Sequence, residues 1–142
     1  MCYCVYLGTN RQLELGNFVP EQTDIFLQQL SEEEQTFLRP KFTKRNIYYV
    51  GSDTGCSCGL AFESATFADP DEAINKKSPT RFIELLKELT LTEDIEYYCC
   101  WEGGWDLPTE HIQEIDISEI SVDKNYWGLT EKEFIKFNRQ PA

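Results

Sequence analysis

The sequence predicts an α+β fold: a single domain over residues 1–142, built on a four- or five-stranded mixed or antiparallel sheet with three or four helices. Three observations predict it. Strand-like and helix-like runs occur in similar numbers without strict alternation, which disfavours a parallel βαβ array. The run NIYYVGSDTGCSCGLAFE sets two apolar segments around a glycine-bearing turn, and such a hairpin requires an antiparallel pair. With 142 residues, 41% of them hydrophobic and 13% aromatic, the chain suits one packed core.

Met1 to Leu7 reads as the first strand, with Cys2, Cys4 and Tyr6 on one face and Tyr3, Val5 and Leu7 on the other. Neither face is polar, so this strand is expected to be central and covered on both sides. Gly8 to Asn17 is polar and irregular, and Thr23 to Leu30 (TDIFLQQL) reads as a short helical turn. Ser31 and Glu34 form a capping box, in which hydroxyl and carboxylate satisfy each other's free amides. The helix they open should stop before Pro40.

Asn46 to Gly51, rich in Ile, Tyr and Val, is the second strand. Ser52 to Gly55 turns the chain and Cys56 to Glu63 returns as the third. Ala65 to Lys77, with ADPDEA at its centre, reads as a loop. Ser78 and Pro79 have the pattern of an N-cap followed by proline at the first helical position. Phe82, Leu85, Leu86 and Leu89 then share one face of a helix running to Thr90. Ile95 to Trp101 is the fourth strand, ended by Gly103 and Gly104. Ile112 to Ile120 alternates imperfectly and suits an edge strand. Thr130 and Glu133 form a second capping-box pattern before a short C-terminal helix through Phe137. The order of strands in the sheet is not encoded in any of these patterns.

The net charge of -12, from 25 acidic and 13 basic residues, repels phosphate backbones and anionic membranes. Nucleic acid and membrane are therefore not expected partners, whereas a basic protein is compatible. No run approaches the roughly 20 apolar residues that span a bilayer. The opening MCYCVYLGTN lacks a basic n-region and an extended apolar core, so no secretory signal is expected and the reading is cytoplasmic.

In a reducing cytosol, clustered cysteines bind metal, do redox chemistry or pack as small hydrophobes. The six cysteines form three pairs: Cys2 and Cys4, Cys56 and Cys58, Cys99 and Cys100. Residues i and i+2 on a flat strand sit roughly 7 Å apart, too far for two sulfurs each about 2.3 Å from one zinc ion. Gly55 and Gly59 allow a bent backbone that could bring the Cys56 and Cys58 sulfurs together. If the first strand lies beside GCSCG, then Cys2, Cys4, Cys56 and Cys58 are the candidate metal ligands. Zinc is the implied ion, with an iron–sulfur cluster as the lesser alternative. Cys99 and Cys100 point to opposite faces, so at most one could join.

The competing readings stay open here. All six thiols could simply pack on apolar strands, or a vicinal disulfide could form, although the cytosol opposes it. GCSCG also matches the G-x-S-x-G nucleophile elbow, with Ser57 as nucleophile and His111 and Asp106 as conceivable partners, but no helix follows it. As an anion cradle, GSDTGCSCG lacks a phosphate-binding lysine. No enzymatic constellation is supported. Trp101 and Trp105, around a glycine turn, suit either core lids or interface anchors.

MCYCVYLGT, YYVGSDTGCSCG and YYCCWEGGW together resemble stretches of a group of small, uncharacterised bacterial proteins. The resemblance spans about Met1 to Trp105. It implies a bacterial cytosolic protein, and it implies no activity. The sequence thus leaves two functions in view: a cysteine-cluster metal-binding protein, or an acidic interaction module of the inhibitor or immunity type whose cysteines only pack.

Overall fold

The structure, a computed structural model, describes residues 2–141. Met1, assigned above to the first strand, lies outside the described residues, as does Ala142. In chain order the elements are β1 (Tyr3–Thr9), β2 (Ile25–Gln29), α1 (Glu32–Leu38), β3 (Asn46–Ser52), β4 (Phe62–Glu63), α2 (Lys77–Leu89), β5 (Ile95–Trp101), β6 (His111–Ile115), β7 (Tyr126–Trp127) and β8 (Glu133–Phe137), with short 3-10 turns between them. The class is α+β as expected. The counts differ, with two α-helices, one six-stranded sheet in the order β2-β3-β1-β5-β8-β6, and a separate two-stranded β4-β7 ribbon. Within the large sheet β6 and β8 run parallel, and every other pair is antiparallel.

β1 is the central strand that its two apolar faces demand. Val5 and Leu7 enter one core with Phe82, Leu85, Leu86 and Leu89 of α2. Cys4 and Tyr6 enter a second core on the other face, with Leu38 from α1 and Phe42 just after it. The sheet is therefore covered on both sides at its middle. Among the described residues no helix is long and apolar enough to cross a membrane.

The capping box is formed as read: Ser31 Oγ accepts from Glu34 N–H at 3.2 Å and Glu34 Oε1 accepts from Ser31 N–H at 2.9 Å. The chain then tightens into a 3-10 turn, Arg39–Lys41, around Pro40. α2 also matches its apolar stripe, but its start is corrected. A 3-10 turn over Ala73–Lys76 feeds directly into the helix, so Ser78 is not the N-cap. Its buried hydroxyl instead donates to Asp24 C=O (2.6 Å) and accepts from Asp53 N–H (2.9 Å).

Three elements differ in kind from the sequence reading. Thr23 to Leu30 contains a strand, β2, in place of a helical turn. It buries Phe26 and Leu27 and leaves Gln28 and Gln29 exposed at the sheet edge. The C-terminal segment is β8, not a helix. Ile135 and Phe137 are fully buried on one face, while Phe134 on the other packs against Phe42 at 6.0 Å between ring centroids. A five-residue run with two polar positions satisfies either period, and the open slot beside β5 decides for the strand. Cys56 to Glu63, finally, does not return as a hairpin strand. β3 already has β1 on one edge and β2 on the other, so no edge is free to pair with it. Of this stretch only Phe62–Glu63 form a strand, and they pair with β7. The edge strand expected within Ile112 to Ile120 is present as β6, but it ends at Ile115 and a 3-10 turn follows.

Candidate metal centre

Because β3 cannot form a hairpin, the chain after Ser52 folds back over the end of the β1–β3 ladder. Gly55 takes φ +85°, a left-handed conformation that glycine adopts without a side-chain penalty. Ser52 knits the turn: its N–H donates to Cys56 C=O at 2.8 Å, and its hydroxyl donates to the same oxygen at 2.6 Å. That hydroxyl also accepts from Gly59 N–H at 3.0 Å. A Cβ at residue 59 would stand 2.4 Å from Ser52 Oγ, so the second glycine is required by close approach. Both glycines around GCSCG therefore have steric reasons to be there.

Cys56 and Cys58 do not lie on a strand. Cys56 is extended and precedes a 3-10 turn, Ser57–Leu60, that contains Cys58. Ser57 sits between them with its side chain buried in the opposite sense. Its hydroxyl accepts from Val5 N–H at 2.9 Å and donates to Val50 C=O at 2.5 Å, bridging the last residue pair of the β1–β3 ladder. This pins the turn against β1, and Tyr3 N–H then donates to Cys58 Sγ at 3.3 Å. On the far side, Glu102 N–H donates to Cys2 C=O at 3.0 Å and fixes the start of the chain to the end of β5. The consequence is a thiol triad: the sulfurs of Cys2, Cys56 and Cys58 all lie within 4.8 Å of one another, each residue half-buried. Such a cluster can hold a metal ion.

Cys4 is not part of that group. Two residues along a strand displace a side chain by about 7 Å, and Cys4 instead packs in the smaller core with Tyr6, Tyr98 and Cys100. It does face the same pocket as Cys2 and Cys56. Cys99 and Cys100 point into opposite cores, and neither reaches the triad. All six cysteines are free thiols. His111 lies exposed on the edge strand β6 and contributes nothing to the cluster. The nucleophile-elbow reading fails on geometry, since Ser57 Oγ is buried and committed to two backbone partners.

The thiols are electrostatically unequal. Cys2 is pushed up to about 11, first by its hydrogen bond with Cys56 and then by the charge there. Partial burial raises Cys56, but hydrogen bonds from the Thr54 hydroxyl, the Cys58 backbone N–H and the other two thiols outweigh it, and Cys56 lies below its ordinary value. Thr54 Oγ1 stands 3.4 Å from that sulfur. Cys56 is therefore easier to deprotonate than an ordinary thiol and Cys2 harder, and a bound cation would favour the deprotonated form of each. By contrast, burial pushes Cys4 to about 11 and Cys100 to about 12, and also raises Cys99, which is how packed thiols behave.

Ser52 and Thr54 were not singled out in the sequence as parts of the site, and Ser57 was weighed there only as a nucleophile. A small polar residue between two cysteines carried a usable signal, because a hydroxyl there can replace a ladder hydrogen bond as the chain leaves a sheet.

Comparison of the chain with protein-family models, with curated proteins and with solved structures gave no match.

Proposed function

We propose that this protein binds a zinc ion through Cys2, Cys56 and Cys58, with the fourth coordination position open to an exchangeable ligand. The observation that carries the reading is the convergence of three sulfurs, one from Cys2 and two from the distant Cys56–Cys58 turn, to within 4.8 Å. Tetrahedral zinc at about 2.3 Å from each sulfur needs them about 3.8 Å apart, so modest side-chain rotation closes the site. Three protein ligands with an open position are the pattern of zinc sites that meet a ligand, as opposed to closed four-ligand structural sites. An iron–sulfur cluster ordinarily takes four cysteines and fits the triad less well. The thiol state of the triad calls for a reducing compartment, in keeping with the bacterial cytosol that the sequence resemblance implies.

Cys2, Cys56 and Cys58 belong to neither core, so the proposed ion sits at the margin of the fold. The test is zinc competition against a chromophoric chelator. Structural zinc sites are worth about 10–16 kcal/mol over four ligands, so losing one ligand costs roughly 3 kcal/mol, or about 100-fold in affinity. Cys2→Ser and Cys56→Ser are each expected to show that loss, while Cys4→Ala retains binding. Equal zinc binding by the wild type and both serine variants would refute the proposal.

A further inference from the structure

A pocket adjoins the thiol triad, and the proposed ligands Cys2 and Cys56 are only part of its lining. Its volume is about 600 Å³, within the roughly 300–1,000 Å³ of small-molecule sites. Cys2, Cys4 and Cys56 line it together with Tyr49, Phe18 and Trp105, and Glu34 and Glu102 supply its charged groups. Among the described residues that line it there is no Lys, Arg or His.

Two of these groups are held from behind. Tyr6, fully buried, donates its hydroxyl to Glu34 Oε2 at 2.5 Å and accepts from Trp105 Nε1–H at 2.7 Å. Burial raises the affinity of Tyr6 for its proton, which keeps it a donor. Glu34 Oε1 is engaged separately by Ser31 N–H of the capping box. Indole and carboxylate thus keep their positions before any ligand arrives, which lowers the ordering cost of binding. The single N–H of Trp105 is already used by Tyr6, so what this side chain offers a ligand is its π system.

The charge of the pocket selects its ligand. Three thiolates around zinc leave one excess negative charge, and the two carboxylates add to it with no basic side chain among the lining residues to offset them. An indole beside carboxylates is the combination that recognises an organic cation, by cation–π attraction and charge-assisted hydrogen bonds. We infer that this pocket binds a small organic cation, an alkylguanidine or alkylamine, between Trp105 and the carboxylates of Glu34 and Glu102, beside the open face of the metal centre. The inference rests on the zinc reading for what the ligand faces. The carboxylates and Trp105 are in place with or without the ion.

The probes are butylguanidine, butylamine and the neutral isostere butylurea, titrated calorimetrically at low salt into the full-length protein with and without zinc. Butylguanidine or butylamine is expected to bind at least about tenfold more tightly than butylurea. Glu102→Gln removes an exposed carboxylate and is expected to weaken the cation about two- to fivefold. Trp105→Leu is expected to weaken it about three- to thirtyfold. Equal binding of butylurea, or no binding of either cation, overturns the inference. If zinc fails to bind and the cation still prefers the pocket, the metal reading falls and this one stands. If zinc binds and the cation shows no preference, this one falls alone.

Discussion

Replacing Ser57 by alanine removes one oxygen and leaves two buried backbone groups without it. Val5 and Val50 are both fully buried, and the Ser57 hydroxyl is the partner of Val5 N–H and of Val50 C=O. A buried polar group left unpaired costs about 1–3 kcal/mol. The two groups face each other across the ladder, so partial closure of β1 onto β3 recovers some of this, and about 2–4 kcal/mol is the expected net loss. For a chain of this size each kcal/mol moves the melting temperature by roughly 3 °C, so Tm falls by roughly 6–12 °C. The assay is thermal unfolding of reduced, metal-free protein followed by circular dichroism. The same closure would shift the turn that carries Cys56 and Cys58, so zinc affinity is expected to fall by about 10- to 100-fold, as for loss of an orienting partner around a metal site. A Tm within 1 °C of wild type together with unchanged zinc affinity would refute the claim that Ser57 anchors the site.

Other outcomes follow from the same geometry. Native protein pulsed with iodoacetamide near pH 7 and mapped by mass spectrometry should be labelled first at Cys56, whose thiol lies below its ordinary value, and only slowly at Cys2, pushed up to about 11; the reverse order would sink the charge assignment. Because zinc must displace the proton that Cys2 holds up to about pH 11, affinity should rise with pH across the range from 6 to 9, and a flat profile would contradict Cys2 as a ligand. Gly59→Ala places a Cβ 2.4 Å from Ser52 Oγ, which is tied to Cys56 C=O, and should destabilise the fold by about 1–3 kcal/mol with weaker zinc binding; an unchanged melt would show that the turn yields freely. Glu96 is buried and accepts from Thr43 N–H, Thr43 Oγ1 and Lys44 N–H at 2.8–2.9 Å, so Glu96→Ala should cost about 3 kcal/mol or more in urea unfolding, with the metal site unaffected.

Much of the scaffold was legible because single segments contained enough residues to define a period. β1 with two apolar faces, the capping box of α1, the stripe of α2 and the whole of β5 all appear where local pattern puts them. β2 and β8 were not, because five residues with two polar positions suit a helical turn as well as a strand. Only their neighbours, β3 and β5, resolve the ambiguity.

The site was half legible for a related reason. The glycines around Cys56 and Cys58 announced a bent backbone, and Cys2 was a candidate on the condition that strand one lay beside them. That Cys4 stays in the core follows from the strand spacing itself, once Cys2 is committed to the turn. What could not be read locally was the occupancy of both edges of β3, which denies Cys56 to Glu63 a strand and drives it over the start of β1.

X-ray absorption at the zinc edge, on protein loaded with one equivalent, decides whether the thiol triad is the ligand set. Three sulfurs at about 2.3 Å and one oxygen or nitrogen at about 2.0–2.1 Å are expected, falling to two sulfurs in Cys56→Ser. A shell of oxygen and nitrogen alone, or a spectrum unchanged in Cys56→Ser, would contradict this ligand set.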